Sequence, residues 1–182
     1  RPAGQAHSVN KALTDSQVKR LLDVASSGPT GPRNLGLVWL CLSGCRIGEA
    51  CAVRFADIID ANGKVLSSFV LNRADTKGKK TREVFLGNKA RAAVEAYIVS
   101  LNSYEATAPV FPLNPSYAAT LVKRLMTKSG LDYRYSSHSL RKSFCSKAVT
   151  NKINIAYIQR CMGHASIATT NRYIQVHCDK SA

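Results

Sequence analysis

Helical hydrophobic spacing on both sides of one β-rich stretch is the strongest constraint on the fold of this 182-residue chain. A capping box at Thr14 opens the first helical pattern, and the mostly apolar residues 33–42 predict a buried helix. Residues 57–86 instead carry short β-branched runs around Asn62-Gly63, which is a hairpin signal. Further helices are predicted over residues 89–104, 117–128, 139–149 and 153–161. The pattern therefore predicts an α+β fold in which helices surround a small antiparallel sheet.

The chain is strongly and unevenly basic. It has 26 Lys and Arg against 11 Asp and Glu, a net charge of +15. Residues 73–182 hold 18 of the basic and only 6 of the acidic side chains. Such a surplus favours a polyanionic partner, most simply nucleic acid, over the alternative of a generically basic soluble protein. No apolar run approaches the roughly 20 residues that span a bilayer, so we expect no membrane partner.

Six cysteines are present, and none forms a C-x-x-C pair. Cys41, Cys45 and Cys51 lie close together in sequence, but their spacing fits no zinc finger or ribbon. We expect reduced thiols that behave as small hydrophobic side chains. No metal or other cofactor is predicted. The cysteines are Cys41, Cys45, Cys51, Cys145, Cys161 and Cys178.

Arg46 and Glu49 lie three residues apart in SGCRIGE, on a short helix that follows a tight turn. A cation at a helix N-terminus opposes the helix dipole at a cost of roughly a few tenths of a kcal/mol. A surface arginine tolerates that cost. The functional interpretation is an arginine that is held inward to bind an anion, with Glu49 orienting it.

A second group of cations crowds a predicted β-turn in RADTKGKKTREVFLG, where residues 76–80 join two extended arms. A basic turn can reach into a DNA groove, because lysine side chains are flexible point charges. The alternative is a turn that is merely solvated.

The last third of the chain carries the remaining candidate chemistry. His138 and Arg141 lie three apart at the start of a predicted helix, a spacing that puts both on one helical face. Farther on, Gly163-His164 precedes Tyr173, which lies nine residues past the histidine. Arg141 as a surface cation, His164 as a helix cap and Tyr173 as a core residue are the alternatives.

In this order and at these spacings, the arginine in SGCRIGE, the turn lysine, the H-x-x-R pair, Gly-His and the tyrosine resemble the tyrosine recombinase (phage integrase) family. The resemblance covers that family's C-terminal catalytic domain, from about Thr14 to the end, with residues 1–13 as a linker. The family's N-terminal DNA-clamping domain is expected to be absent from this chain. The fold implied is a mainly helical catalytic domain with a small antiparallel β-sheet.

The resemblance also implies a role for each residue. Tyr173 is the nucleophile that forms a 3′-phosphotyrosine, which needs neither metal nor ATP. Arginine forks match the geometry of the phosphate oxygens, with a histidine as a further donor. Lys77 is the acid for the leaving 5′-oxygen, and His138 is the base for a phenol whose free pKa is near 10. The implied catalytic residues are Arg46, Lys77, His138, Arg141, His164 and Tyr173, with Glu49 in support.

The expected function is therefore site-specific DNA recombination. We expect a cytoplasmic protein of bacterial, phage or plasmid origin that is monomeric without double-stranded DNA and tetrameric on paired sites. A type IB topoisomerase, a telomere resolvase and a DNA-binding relative without catalysis are the alternatives. Expected DNA contacts are Lys79, Lys80, Arg82, Lys123, Arg124 and Lys142.

Overall fold

A computed structural model describes residues 11–72 and 81–163. Within these ranges the chain forms eight helices and one two-stranded antiparallel sheet. This arrangement confirms the predicted α+β class. In chain order the elements are α1 Asp15–Ala25, α2 Gly31–Leu42, α3 Ile47–Ala52, α4 Phe55–Ile58, β1 Ser68–Leu71, β2 Arg82–Phe85, α5 Asn88–Val99, α6 Pro115–Lys128, α7 Ser137–Thr150 and α8 Ile155–Met162.

The apolar helix α2 is the centre of the main core, as its composition predicts. It packs against α5, α7, α1 and α3, and Leu37, Val38 and Leu40 are fully buried. Gly36 lets a neighbouring ring approach, because a Cβ atom there would lie 3.1 Å from the ring of Phe111. Burying a leucine of this kind contributes about 1.5–3 kcal/mol relative to leaving it exposed. The helices that carry candidate site residues are thereby held on one scaffold.

The sheet is smaller than the sequence pattern suggests. β1 and β2 pair with Leu71 opposite Arg82, and residues 73–80, where the sequence predicts a lysine-rich turn, lie outside the described residues. The first two residues of the predicted β-stretch instead end the short helix α4, whose first turn is capped because the Asp57 carboxylate accepts the Arg54 amide. Around Asn62-Gly63 the chain does turn, with the Asp60 carboxylate accepting from two amides of the turn, but the flanking residues pair through an isolated bridge between Ile59 and Val65 and not through a strand ladder.

Several helix ends differ from the predicted ones because of capping residues. α6 begins at Pro115, two residues early, since proline is favoured in the first turn and the Asn114 side chain accepts the Ser116 amide. α8 begins at Ile155 because Asn154 caps it in the same way. α5 stops at Val99, five residues before the predicted end. The capping box of Thr14 with Gln17 is confirmed.

A second, smaller apolar cluster joins α7 to α8. Its buried members are Cys145, Ala148, Ile158 and Met162. α8 also contacts β2, so the end of α8 lies beside the sheet. Among the described helices, none has the length and apolar character that crossing a membrane requires.

Candidate active site

Arg46 lies at the N-terminus of α3, directly after a turn that Gly44 makes with a φ of +96°. Its amide donates to Glu49 Oε2 at 2.7 Å, and its Nη1 donates to Glu49 Oε1 at 2.6 Å. The Arg46 side chain is 24% exposed, whereas that of Glu49 is 2% exposed. A buried carboxylate therefore holds this arginine by both its backbone and its guanidinium, as an orienting role requires.

Arg141 reaches the same place from the interior of α7. Its guanidinium donates to the carbonyl oxygens of Gly44 and Met162, and its Nη1 lies 4.0 Å from Glu49 Oε2. The side chain is only 8% exposed. Arg141 is thus a buried part of the site, and the alternative of a surface cation is wrong.

Arg82, the first residue of β2, is a third arginine at this site. Its Nη2 donates to Glu49 Oε2 at 2.5 Å and to the Gly44 carbonyl at 3.2 Å, and its Nη1 donates to the Cys161 carbonyl at 2.5 Å. Only 3% of the side chain is exposed. The prediction that Arg82 contacts DNA is therefore wrong, because its donors face the protein interior.

A sequence signal for the inward position of Arg82 does exist. Along β2 the buried and exposed residues alternate, and Arg82 shares the buried face with Val84. The high density of charge in this stretch obscured that alternation. Its partner Glu49 is 33 residues away in sequence, so no local pattern names the contact.

The site carries more positive than negative charge. Three guanidiniums surround the single carboxylate of Glu49. Burial raises the pKa of Glu49, but Arg82 and the bonds from Arg46 outweigh it and lower that pKa below its ordinary value. Burial, with the charges of Arg46 and Arg82, lowers the pKa of Arg141 to about 10. Three guanidiniums against one carboxylate give the cluster two surplus positive charges that an anion can balance.

His138 lies in the first turn of α7, one turn before Arg141. The two do not share a burial environment, because His138 is exposed whereas Arg141 is buried. The expectation that three-residue spacing places both on one face therefore holds only in part.

Of the other cations expected to contact DNA, those within the described ranges lie on α6 and α7. Lys123 and Arg124 are exposed on α6, and the Lys123 ammonium donates to the Tyr133 carbonyl at 3.1 Å. Lys142 on α7 is half-buried, and burial lowers its pKa. Five further predicted residues lie outside the described ranges, namely Lys77, Lys79, Lys80, His164 and Tyr173.

The described chain ends beside the arginines. Gly163 takes a left-handed conformation with a φ of +58°, and a Cβ atom there would lie 2.8 Å from Arg82 Cδ. Glycine is therefore required at this position both by the backbone and by the close approach of Arg82.

The cysteines of the described ranges are buried free thiols, and Cys45 and Cys51 lie close in sequence to Arg46 and Glu49. Burial is the main cause that raises the pKa of Cys45 to about 12 and that of Cys51 to about 11. Such thiols stay protonated and are poor metal ligands. Within residues 11–72 and 81–163, no three His, Cys, Asp or Glu side chains are grouped to hold a metal ion.

Comparison with known proteins finds recombinases that match most of this chain. The tyrosine recombinase XerC of Pelobacter propionicus is 30% identical over 84% of this chain and 52% of its own length. The structure of XerA recombinase superposes with a TM-score of 0.75 at 25% identity, covering 94% of this chain and 61% of that one. XerH site-specific recombinase bound to difH substrate, in a pre-cleavage complex, superposes with a TM-score of 0.69 at 20% identity, covering 94% and 52%.

The chain spans about half the length of the curated relatives that it matches. The sequence profile of the phage integrase family matches residues 11–179, which is nearly the whole chain. The resemblance seen in the sequence motifs is confirmed, and the chain belongs to the phage integrase family.

Proposed function

We propose that residues 14–182 form the catalytic domain of a site-specific DNA recombinase, with residues 1–13 as a linker. The domain would break and rejoin DNA strands through a 3′-phosphotyrosine. The observation that carries the proposal is that Arg46 and Arg141 converge, from distant parts of the chain, on one buried carboxylate. The positive charge of these arginines exceeds the negative charge of Glu49.

The arginine cluster suits a phosphodiester that passes through a pentacoordinate transition state. Negative charge then gathers on the nonbridging oxygens, and guanidinium donors fixed beforehand stabilise it without reorganising. Arg46 is the more open of the two proposed catalytic arginines, since its side chain is 24% exposed against 8% for Arg141. Arg46 is therefore the one best placed to meet the phosphate directly.

The bond changes follow from family membership and the residue types. The Tyr173 oxygen forms a bond to phosphorus while the bond from phosphorus to the 5′-oxygen breaks. His138 takes the phenolic proton, Lys77 gives a proton to the departing 5′-oxygen, and His164 donates to a nonbridging oxygen. Attack by the free 5′-hydroxyl on the phosphotyrosine reverses these steps and reseals the strand, so the phosphodiester energy is kept.

The proposed partner is double-stranded DNA, in keeping with the DNA-bound XerH relative and with the net charge of +15. Lys123 and Arg124 on α6 are the described surface cations proposed to meet the phosphate backbone, together with the turn lysines Lys79 and Lys80. Lys142, half-buried beside Arg141, is proposed as a further contact. We further propose a monomer that assembles as a tetramer on paired sites, in the cytoplasm.

The test uses a library of DNA duplexes that have random sequence around a fixed nick. A nick near the cleaved bond lets the short strand diffuse away, so the covalent complex is trapped. We expect the protein to form complexes that survive SDS and to release a free 5′-hydroxyl, and peptide mapping should place the phosphate on Tyr173.

Tyr173→Phe should remove all of the adduct, while the matched control Tyr133→Phe should keep it, because Tyr133 is an exposed tyrosine with no proposed part in the chemistry. DNA binding without any adduct across the library would refute the proposal in favour of a DNA-binding relative. Relaxation of supercoils without preference for any sequence would favour a topoisomerase.

A further inference from the structure

We infer that Arg82 is a positioning residue for cleavage: its guanidinium fixes the Glu49 carboxylate on which Arg46 rests, and it never touches DNA. The inference rests on the proposed function. Arg82 is a residue whose charge in the sequence predicts a DNA contact.

The two carboxylate oxygens of Glu49 accept from different donors. Oε2 accepts from Arg82 Nη2 at 2.5 Å and from the Arg46 amide at 2.7 Å, whereas Oε1 accepts from Arg46 Nη1 at 2.6 Å. With Oε2 fixed from two sides, Oε1 has a defined position, and the guanidinium of Arg46 is oriented by it. A catalytic donor must be held within about 0.5 Å of its productive position, so such support has a direct effect on rate.

Arg82 also joins elements of the fold that are distant in sequence. Besides α3, it binds the Gly44 carbonyl in the preceding turn and the Cys161 carbonyl near the end of α8. Arg141 binds the same turn at Gly44 and the next carbonyl of α8, that of Met162. Arg82 and Arg141 therefore fix one turn and one helix end from two directions, and Arg46 begins the next helix after that turn.

Packing alone does not account for an arginine at position 82. Arg82 lies on the inner face of β2 with Val84, where an apolar side chain would fit the core. Its Nε is the one side-chain nitrogen or oxygen, among those buried in the described ranges, that has no hydrogen-bond partner. A buried ion pair adds little net stability compared with apolar residues of similar volume. A buried arginine that carries such a cost is better explained by what it orients.

The test compares Arg82→Lys, Arg82→Met and Glu49→Gln with the wild type, using the nicked-duplex library to measure DNA affinity and the rate of adduct formation separately. Arg82→Lys keeps the charge but loses the fork. By analogy with residues that orient metal ligands, losing such support typically costs about 10–100-fold in activity. We expect a loss of that size in the cleavage rate for Arg82→Lys, a larger loss for Arg82→Met, and DNA affinity within about twofold. Arg20→Met, which removes an exposed arginine of α1, is the control for net charge and should cleave like the wild type.

A double-mutant cycle separates positioning from general damage to the fold. If Arg82 acts mainly through Glu49, adding Arg82→Lys to Glu49→Gln should lower the rate by a much smaller factor than Arg82→Lys does in the wild type. Rates are measured at a temperature at which circular dichroism shows every compared variant to be folded. If Arg82→Met does not fold, the comparison uses Arg82→Lys alone.

Wild-type cleavage by Arg82→Lys, additive losses in the cycle, or equal losses in affinity and rate would each overturn the inference and leave the proposed function standing. Absence of adduct from the wild type itself would instead refute the proposed function, and the inference with it.

Discussion

Arg46 and Arg141 are expected to differ in what they do for the fold, although both are proposed to serve the same transition state. Arg141→Ala leaves the Met162 carbonyl without the donor that it has in the structure, whereas the Gly44 carbonyl keeps a bond from Arg82 at 3.2 Å. One buried polar group that loses its partner costs about 1–3 kcal/mol. For a chain of 182 residues, each kcal/mol lowers Tm by roughly 2–4 °C, which gives a fall on the order of 5 °C.

Arg46→Ala should change stability by about 1 kcal/mol or less, because its side chain is partly exposed. Glu49 then still accepts from the backbone amide of residue 46 and from Arg82, so no buried carboxylate is left unpaired. Both substitutions should slow cleavage strongly, since the loss of one such donor typically raises the barrier by about 3–4 kcal/mol.

The assay pairs thermal unfolding with adduct formation and DNA affinity for the two variants. We expect both to cleave poorly and to keep much of their DNA affinity, while only Arg141→Ala unfolds early. Equal Tm values for Arg46→Ala and Arg141→Ala would refute the reasoning about the Met162 carbonyl. Affinity that falls as much as the cleavage rate would show instead that the arginines are ordinary phosphate contacts.

Three further outcomes are expected. DNA affinity should fall by about 10³–10⁵-fold between roughly 50 and 200 mM salt if about 6–10 phosphates are contacted, and a flat salt titration would exclude that number of contacts. Leu37→Ala in the fully buried face of α2 should cost about 2–5 kcal/mol in urea unfolding, whereas Val99→Ala at a position 83% exposed should cost little, and equal midpoints would contradict the assigned core. Gly163→Ala should lower both Tm and the cleavage rate, because the new methyl would meet Arg82 at 2.8 Å on a left-handed backbone; an unchanged Tm would count against that close contact.

Local rules explain which parts of the fold could be predicted from the sequence. The Thr14 capping box and the buried helix α2 rest on residues within a few positions of one another, and both are confirmed. The last two residues of α4, Asp57 and Ile58, fall in the region predicted as strand, because apolar residues such as Ile58 suit either element. The outcome depends on the Asp57 carboxylate, which accepts the Arg54 amide and caps the first turn.

The site shows the limit of such rules. The contact of Arg46 with Glu49 could be predicted because the two residues are one helical turn apart. The contacts of Arg82 with Glu49 and of Arg141 with Gly44 depend on tertiary packing between elements that are distant in sequence. Charge in the sequence indicates exposure by default, so a buried arginine can be recognised only once its carboxylate and carbonyl partners are in place.

The separation of the apolar residues into two clusters has a consequence for the order in which the domain opens. Cys145, Ala148, Ile158 and Met162 hold α8 to α7 apart from the main core around α2. Detaching α8 therefore breaks this small cluster and the arginine bonds to its last carbonyls, without disturbing α2. Sub-global opening of that kind needs less free energy than complete unfolding. Amide hydrogens of α8 should accordingly exchange with deuterium well before those of α2. Their exchange rate would then report how often α8 detaches from α7.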